Sequence, residues 1–307
     1  MVQNTPAAEG EPGTERYRGR FAPSPSGNLH FGSLVTALAS YLIAKKQQGT
    51  WLLRIDDIDQ PRVKPGATDS ILKTLEAHGL YWDEPVYYQS QHLDYYRETL
   101  TRWQQQGYCY YCDCTRQAIK ARGTLYDGFC RARKLSQPGC AVRIKNPGQS
   151  LALNDARLGQ IQVPDEVINE DFVLQRRDGI FGYHLVAVLD DIQQNVTQVV
   201  RGADLLLPSA CQLVLYNLLH HPTPSFLHIP LAVSSPGKKL SKQNHSPELD
   251  ETQVQQNLCS ALDFLGADIP PELLRTDKDR LLNWAVQHWN PDNLPSTLEK
   301  KVTGRWC

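Results

Sequence analysis

The sequence predicts an α/β protein built on a parallel sheet, and three observations carry the prediction. Tyr17 to Ala22 reads as a strand, Phe31 to Gln48 as a helix with Leu34, Leu38 and Leu42 on one face, and Thr50 to Ile55 as a second, largely apolar strand. Gly49 ends the helix, so these pieces form a β-α-β unit whose two strands run parallel. Further strands, Thr197 to Val200 and Phe226 to Ile229, flank a helix that Pro208 starts and Leu213, Leu215 and Leu218 continue. Ligands of such sheets bind beyond the carboxyl ends of the strands. The stretch from Arg20 to Ser33 and the residue Asp56 both fall there.

Composition sets the bounds. A chain of 307 residues can bury a large core, enough for one domain with an insertion and a small tail. Its 32 Lys and Arg against 33 Asp and Glu leave a net charge of −1, so any nucleic-acid contact must come from local basic patches. The eight cysteines are clustered and no secretory segment precedes them, which points to a reducing, cytoplasmic setting rather than to disulfides. Residues 1–15, rich in Pro, Gly, Glu and small polar residues, read as a disordered lead-in. No apolar run is long enough to span a bilayer, so a soluble protein is expected, and a monomer.

Taken in order, Arg20 to Ser33 combines a strand end, a rigid turn and the opening of a helix. Pro23 and Pro25 fix the backbone, Gly27 and Gly32 allow close approach, and Asn28 can cap a helix whose free N–H groups face an anion, with His30 at its positive end. The plainer alternative is a turn ahead of a core helix. Asp56, Asp57 and Asp59 read as a loop capping the helix from Gly66 to His78, or as carboxylates for a magnesium ion. A second amphipathic helix, His92 to Gln106, leads to Cys109, Cys112 and Cys114, and Cys130 follows Tyr126. Clustered thiols suggest zinc, and ligand chemistry alone ranks Asp113, Cys109 or Cys140 above a tyrosine for the fourth place. Around them Arg116, Lys120, Arg122, Arg131, Arg133 and Lys134 outnumber Asp127, as suits an RNA backbone or a solvated face.

Val142 to Lys145 and Asp171 to Gln175 read as short strands flanking a polar, irregular connection. Phe181 to Asp191 is an apolar segment closed by Asp190 and Asp191, which terminate a helix or orient neighbouring side chains. Arg201, just past a strand and beside Gly202, projects into the same crevice or pairs at the surface. Ser234 to Lys242 is a small-residue loop with three lysines, and helical patterns return at Thr252 to Leu265 and Arg280 to Trp289.

In this order, His30-Phe31-Gly32-Ser33, Arg54-Ile55-Asp56-Asp57-Ile58-Asp59 and Lys239-Leu240-Ser241-Lys242-Gln243 resemble the class I aminoacyl-tRNA synthetases. The first stretch matches their HIGH signature and the last their KMSKS signature. The glutamyl subgroup is the most similar, and over the whole chain the likeness is to its shortened members, which lack an anticodon-binding domain. This resemblance implies a Rossmann-like nucleotide-binding catalytic domain in two halves, residues 16–106 and 171–246. It also implies a zinc-bearing insertion at 107–170 and a helical C-terminal segment at 247–307. His30, Lys239 and Lys242 would be catalytic, and His30, Gly32, Ser33, Lys239 and Lys242 would bind ATP, with Mg²⁺ on the nucleotide. Arg20, Phe21, Ala22, Pro23, Ser24, Asp56, Tyr183 and Arg201 would hold L-glutamate. Within that set Arg201 resembles the family's carboxylate clamp, Tyr183 the residue that packs on the amino acid, and Asp56 the acid that pairs with its ammonium. A Glu commonly stands at this last position; Asp is one methylene shorter, which leaves a direct contact and a water bridge both open. The family's run of two cysteines, a tyrosine and a cysteine falls on Cys112, Cys114, Tyr126 and Cys130, the ligands of one structural zinc.

The chemistry so implied is attack of the glutamate α-carboxylate on the α-phosphorus of ATP without tRNA, then transfer of the glutamyl group to queuosine at the wobble position of tRNA(Asp). The nucleophile is already ionised at neutral pH, so catalysis rests on positioning and charge stabilisation rather than on a general base. An ordinary glutamyl-tRNA synthetase, truncated, would instead charge the end of tRNA(Glu). A nucleotidyltransferase would follow another acid. A non-enzymatic RNA-binding relative would have lost part of the set His30, Lys242, Arg20 and Arg201.

Overall fold

A computed structural model describes residues 16–123, 125–148, 152–240 and 247–302. The expected lead-in at 1–15 and the residues Ser241 and Lys242 lie outside them.

The first half begins with β1 (Arg18–Phe21), α1 (Phe31–Lys46), β2 (Thr50–Ile55), α2 (Ala67–Ala77), β3 (Tyr87–Tyr88) and α3 (Leu93–Gln105). β1 runs parallel to β2, with Arg18 opposite Thr50 and Phe21 opposite Leu53, and β2 runs parallel to β3. Leu34, Leu38 and Leu42 of α1 are buried as expected, and so are Val35, Ala39 and Ile43, because the helix is covered on more than one side. On α3 only Tyr96, Thr99, Leu100 and Trp103 are buried, the stripe of a helix with one face in water.

Between the two halves lie β4 (Cys109–Cys112), α4 (Arg116–Lys120), β5 (Ala141–Ile144), β6 (Leu153–Asp155), β7 (Gly159–Ile161), α5 (Asp165–Ile168) and β8 (Val173–Gln175). β4, β5 and β8 form a small antiparallel sheet. The cysteine stretch is therefore partly a strand, and the connection expected to be irregular contains β6 and β7. Three-residue strands with polar members such as Asn154 and Gln160 carry too little period-2 signal to be read from sequence.

The second half follows with α6 (Tyr183–Gln193), β9 (Gln198–Gly202), α7 (Leu206–Leu218), β10 (Ser225–Ile229), β11 (Leu231–Ser235) and β12 (Lys238–Lys239). β10 lies between β9 and β6 and is parallel to both. The sheet of β1 to β3 and the mixed sheet that also carries β7, antiparallel to β6, meet where Thr197 donates its N–H to the Arg18 carbonyl at 2.9 Å and Arg18 returns its N–H to Thr197 Oγ1 at 2.9 Å. From that seam the chain steps outward to β2 and β3 on one side and to β10 and β6 on the other. A crevice opens at such a reversal, beyond the carboxyl ends of β1 and β9. Arg201 sits inside β9 rather than past its end, because the strand runs two residues beyond Val200.

The expected lysine loop is, in its described part, a hairpin of β11 and β12 turned at Gly237, whose φ of +73° suits glycine. The chain closes with α8 (Val254–Phe264), α9 (Lys278–His288) and β13 (Glu299–Lys301), which pairs in parallel with β11. A strand of three charged residues has no apolar pattern, so the C-terminal segment read as helical alone. α8 and α9 cover α1, with Phe264 edge-on to Phe31 at 5.8 Å. Among the described residues no helix is long and apolar enough to cross a membrane.

Candidate active site

At the seam a cavity of about 650 Å³ is lined by Arg20 to Ser24, His30, Gly32 and Ser33 from the first half. Arg54, Asp56, Tyr183, Arg201 and Lys239 also line it. Every described residue expected to touch glutamate or ATP therefore borders one cavity. The loops that carry them are tied together, Asp56 N–H to Pro23 O at 3.0 Å and Lys64 N–H to Pro25 O at 2.9 Å.

His30 rather than Asn28 is the N-cap of α1: its Nδ1 accepts from the Ser33 N–H at 3.3 Å. Asn28 lies two residues too early and donates its amide to Glu248 at 2.7 Å. A Cβ on Gly32 would come within 3.2 Å of the His30 ring, so the glycine lets the imidazole lie over the helix start. Lys239 reaches the same cavity from β12 and pairs with Asp204 at its mouth.

Deeper in the cavity the charges sort into two groups. Arg20 is 4% exposed and donates through Nε and Nη2 to the two oxygens of Asp191, at 3.0 and 3.3 Å. Arg54 is 1% exposed and donates to Asp56 at 2.8 Å and to Asp191 at 2.7 Å, with Asp190 at 3.9 Å. Asp190 is held in turn by Tyr96 at 2.6 Å, Gln89 at 2.7 Å and Tyr87 at 3.0 Å. Two guanidinium groups thus face three carboxyl groups, which leaves room for one more cation when all three are ionised; burial raises the Asp190 pKa, with Arg54, Tyr96, Gln89 and Tyr87 opposing it. Burial pushes the Asp56 carboxyl up to about 6, and Asp190 adds to this; the charge and hydrogen bond of Arg54, and Arg20, offset it only in part. Burial also acts on Asp191, but Arg20 and Arg54 outweigh it and hold that carboxyl below its usual range.

Arg201 is the opposite case. It is 4% exposed, and its neighbours are neutral: His228 Nε2 at 3.2 Å, Ser209 Oγ at 2.5 Å, Tyr183 Oη at 3.5 Å and the Phe226 ring at 5.1 Å. No carboxylate among the described residues forms an ion pair with it. Burial, and the charge of Arg20, pull its pKa below the usual guanidinium range, against the opposing influence of Tyr183 and of the more distant Asp191, yet an arginine remains a cation. A buried cation left without a counter-charge is costly unless a ligand supplies one.

The acidic run after β2 divides its work. Asp57 accepts from Ser90 N–H and Oγ at 2.8 and 2.6 Å, and Asp59 pairs with Arg62 and Arg176. Among the described residues the only grouping of three candidate metal ligands is Cys112, Cys114 and Cys130, so these aspartates form no magnesium cluster.

Those three sulfurs lie within 4.8 Å of one another, and Cys114 Sγ is 3.5 Å from Cys130 Sγ. Tetrahedral zinc with sulfur at about 2.3 Å sets its thiolates roughly 3.8 Å apart, so the spacing fits a metal ion. Tyr126, 4% exposed, accepts the Cys130 N–H at 2.8 Å and packs in the same cluster. Cys109 belongs to a different core and Cys140 is not in the group, while Asp113 pairs with Arg133 and brings Oδ1 to 3.5 Å from Cys130 Sγ. Of the surrounding cations, Arg122, Arg131 and Arg133 pair with Asp127, Asp171 and Asp113.

Sequence reasoning missed Arg54, His228, Ser209 and Asp155 as parts of the site. A signal existed for two of them. Arg54 lies between Leu53 and Ile55 and His228 between Leu227 and Ile229, and a polar residue inside an apolar strand must have a partner.

Residues 16–262 match the family described as tRNA synthetases class I (E and Q), catalytic domain. The Glutamyl-Q tRNA(Asp) synthetase of Vibrio cholerae is 49% identical over 284 residues, 92% of this chain and 93% of that protein. That of Photobacterium profundum is 49% identical over 287 residues, 94% of this chain and 93% of that one. A solved glutamate tRNA ligase from Elizabethkingia meningosepticum, in complex with its amino acid, is similar in fold: TM-score 0.78 at 24% identity, over 94% of this chain and 67% of that chain.

Proposed function

The chain belongs to the class I tRNA synthetases of the glutamyl and glutaminyl type, and on that footing we propose that it activates L-glutamate with ATP and passes the glutamyl group to tRNA(Asp). A glutamate α-carboxylate oxygen attacks the α-phosphorus, the bond to the β-phosphate breaks, and pyrophosphate leaves. Glutamyl-adenylate remains. A hydroxyl of the queuosine base then attacks the activated carbonyl, AMP departs, and the hydroxyl proton passes to solvent. Relatives named Glutamyl-Q tRNA(Asp) synthetase along nearly their whole length support this acceptor over the end of tRNA(Glu).

One observation carries the choice of amino acid: a buried Arg201 with neutral partners stands across the cavity from a cluster with a carboxylate to spare. Glutamate brings a side-chain carboxylate for the first and an ammonium for the second. Glutamine would leave Arg201 without an anion and should lose about 2–5 kcal/mol. In this reading Arg20, with Nε and Nη2 on Asp191, offers its remaining nitrogen to a substrate carboxylate, and Tyr183 packs on the bound amino acid. His30, the α1 N-terminus, Lys239 and Lys242 stabilise charge on the phosphates, which Mg²⁺ shares as the companion of ATP.

We assign Cys112, Cys114, Cys130 and Tyr126 to one structural zinc, far simpler in role than the crevice. It would fasten β4 to the turn that carries Tyr126 and Cys130. The cations of the module that have no ion pair among the described residues, Arg116, Lys120 and Lys134, would face the RNA backbone.

The test is glutamate-dependent pyrophosphate exchange without tRNA, followed by transfer of labelled glutamate to tRNA(Asp) with and without queuosine. Exchange without RNA and transfer only to the queuosine form are expected. Exchange that needs tRNA(Glu), or follows a different acid, overturns the reading.

A further inference from the structure

Arg201 is held from behind by groups on three other elements. Its Nε carries a proton and no lone pair, so His228 Nε2, 3.2 Å away, must accept. The imidazole proton therefore sits on Nδ1 and is donated to Asp155 Oδ2 at 2.7 Å. Asp155 also takes the N–H groups of His228 at 2.8 Å, Arg157 at 3.0 Å and Leu158 at 2.8 Å, which fill both oxygens. Ser209 accepts from Arg201 Nη2 at 2.5 Å, and its single hydroxyl proton is shared between the lone pair of His228 Nε2 at 2.8 Å and Leu205 O at 2.7 Å. Two of the three Arg201 nitrogens are thus fixed, while Nη1 meets only the Tyr183 hydroxyl at 3.5 Å.

We propose that Asp155, His228 and Ser209 are positioning residues that orient Arg201 through neutral acceptors and so preserve its full charge for the substrate's side-chain carboxylate. This rests on the proposed glutamate activation and deepens it. Asp191 shows the other option: a carboxylate placed directly on Arg20 and Arg54 orients them but offsets part of their charge. Interposing an imidazole keeps the orienting bond and moves the anion one ring away. Asp155 fixes the tautomer, since the opposite one would set an N–H against the Arg201 N–H. Ser209 completes the cradle from α7 with no charge at all.

The test combines kinetics on the intact protein with imidazole ¹⁵N NMR. His228→Phe, which removes the acceptor, should raise KM for glutamate about tenfold or more, leave KM for ATP unchanged and narrow the preference for glutamate over glutamine. His228→Gln, whose amide oxygen can accept from Arg201 Nε, should recover most of the loss. Ser209→Ala should raise KM for glutamate several-fold in a protein that melts normally. In the unmodified protein the His228 resonances should report a neutral ring protonated at Nδ1. An Nε2–H tautomer, equal rises in both KM values, or no difference between the Phe and Gln variants overturns the relay. If the unmodified protein exchanges no pyrophosphate with glutamate, the underlying functional reading has failed instead, and the tautomer still decides the relay on its own.

Discussion

The two walls of the crevice solve the burial of arginine in opposite ways. On the β1 and β2 side, Arg20 and Arg54 are bound to Asp191 and Asp56 at 2.7–3.3 Å. On the β9 and β10 side, Arg201 is held by an imidazole and a hydroxyl. The first wall pairs each guanidinium with carboxylates of the protein itself, so it is closed toward anions and has one acid in excess. The second is left open, and an open buried charge is a demand for a ligand. Arginines that look equivalent in sequence therefore differ in kind, and what separates them is the charge of their partners.

Breaking each wall should give opposite signatures. Asp191→Asn strips one anion from two buried guanidinium groups and should cost about 3–5 kcal/mol of stability, read from denaturant unfolding. A variant that unfolds like the parent would show that Arg20 and Arg54 are compensated elsewhere. Arg201→Ala should do the reverse: glutamate-dependent exchange falls by about 2–5 kcal/mol in transition-state terms, while unfolding is unchanged or shifts to higher denaturant. Near-normal exchange by that variant removes the clamp.

The same contrast explains how much was legible beforehand. β1, α1 and β2 declared themselves through apolar runs, and strand ends placed Arg20, Asp56 and Arg201 at one crevice, while the roles expected of them came from the resemblance to the synthetases. The partners could not. Asp190 and Asp191 lie near the end of an apolar helix, where acids read as a terminus, and only the packing of α6 beside β1 and β2 makes them the anions of the first wall. His228 and Asp155 come from strands far apart in sequence that meet only when β10 pairs with β6. Local pattern finds the groups that line the cavity; the groups that stand behind them emerge from long-range pairing. Asn28 shows the converse error, a good capping residue in type but two positions away from the helix it was expected to start.

Titration sharpens the comparison further. Asp56 has a folded-state pKa of about 6, raised chiefly by burial above its usual 3.8. Its contribution to stability is therefore present below 3.8 and lost as pH rises through about 6, so Asp56→Asn should be slightly more stable than the parent at neutral pH. Function runs the other way, because only the carboxylate can hold an ammonium. As pH falls below about 6, kcat/KM for glutamate should drop about tenfold per pH unit, while Asp56→Asn, already weak, stays flat over that range. An unchanged limb in that variant would move the titrating group elsewhere in the cavity.

The smallest effect belongs to the mouth, where the contrast between closed and open charge fades into solvent. Lys239 and Asp204 pair there at 39% and 37% side-chain exposure. Exposed pairs are worth only about 0–1 kcal/mol, since water and salt screen them. Yet a lysine that serves ATP phosphates must leave its aspartate to do so, and Asp204→Asn removes that competition. KM for ATP should fall by no more than about fivefold, with KM for glutamate and the unfolding midpoint unchanged. A rise in KM for ATP would mean that Asp204 orients Lys239 toward the nucleotide, the role Asp191 plays for Arg20, and would extend the closed wall to the rim of the crevice.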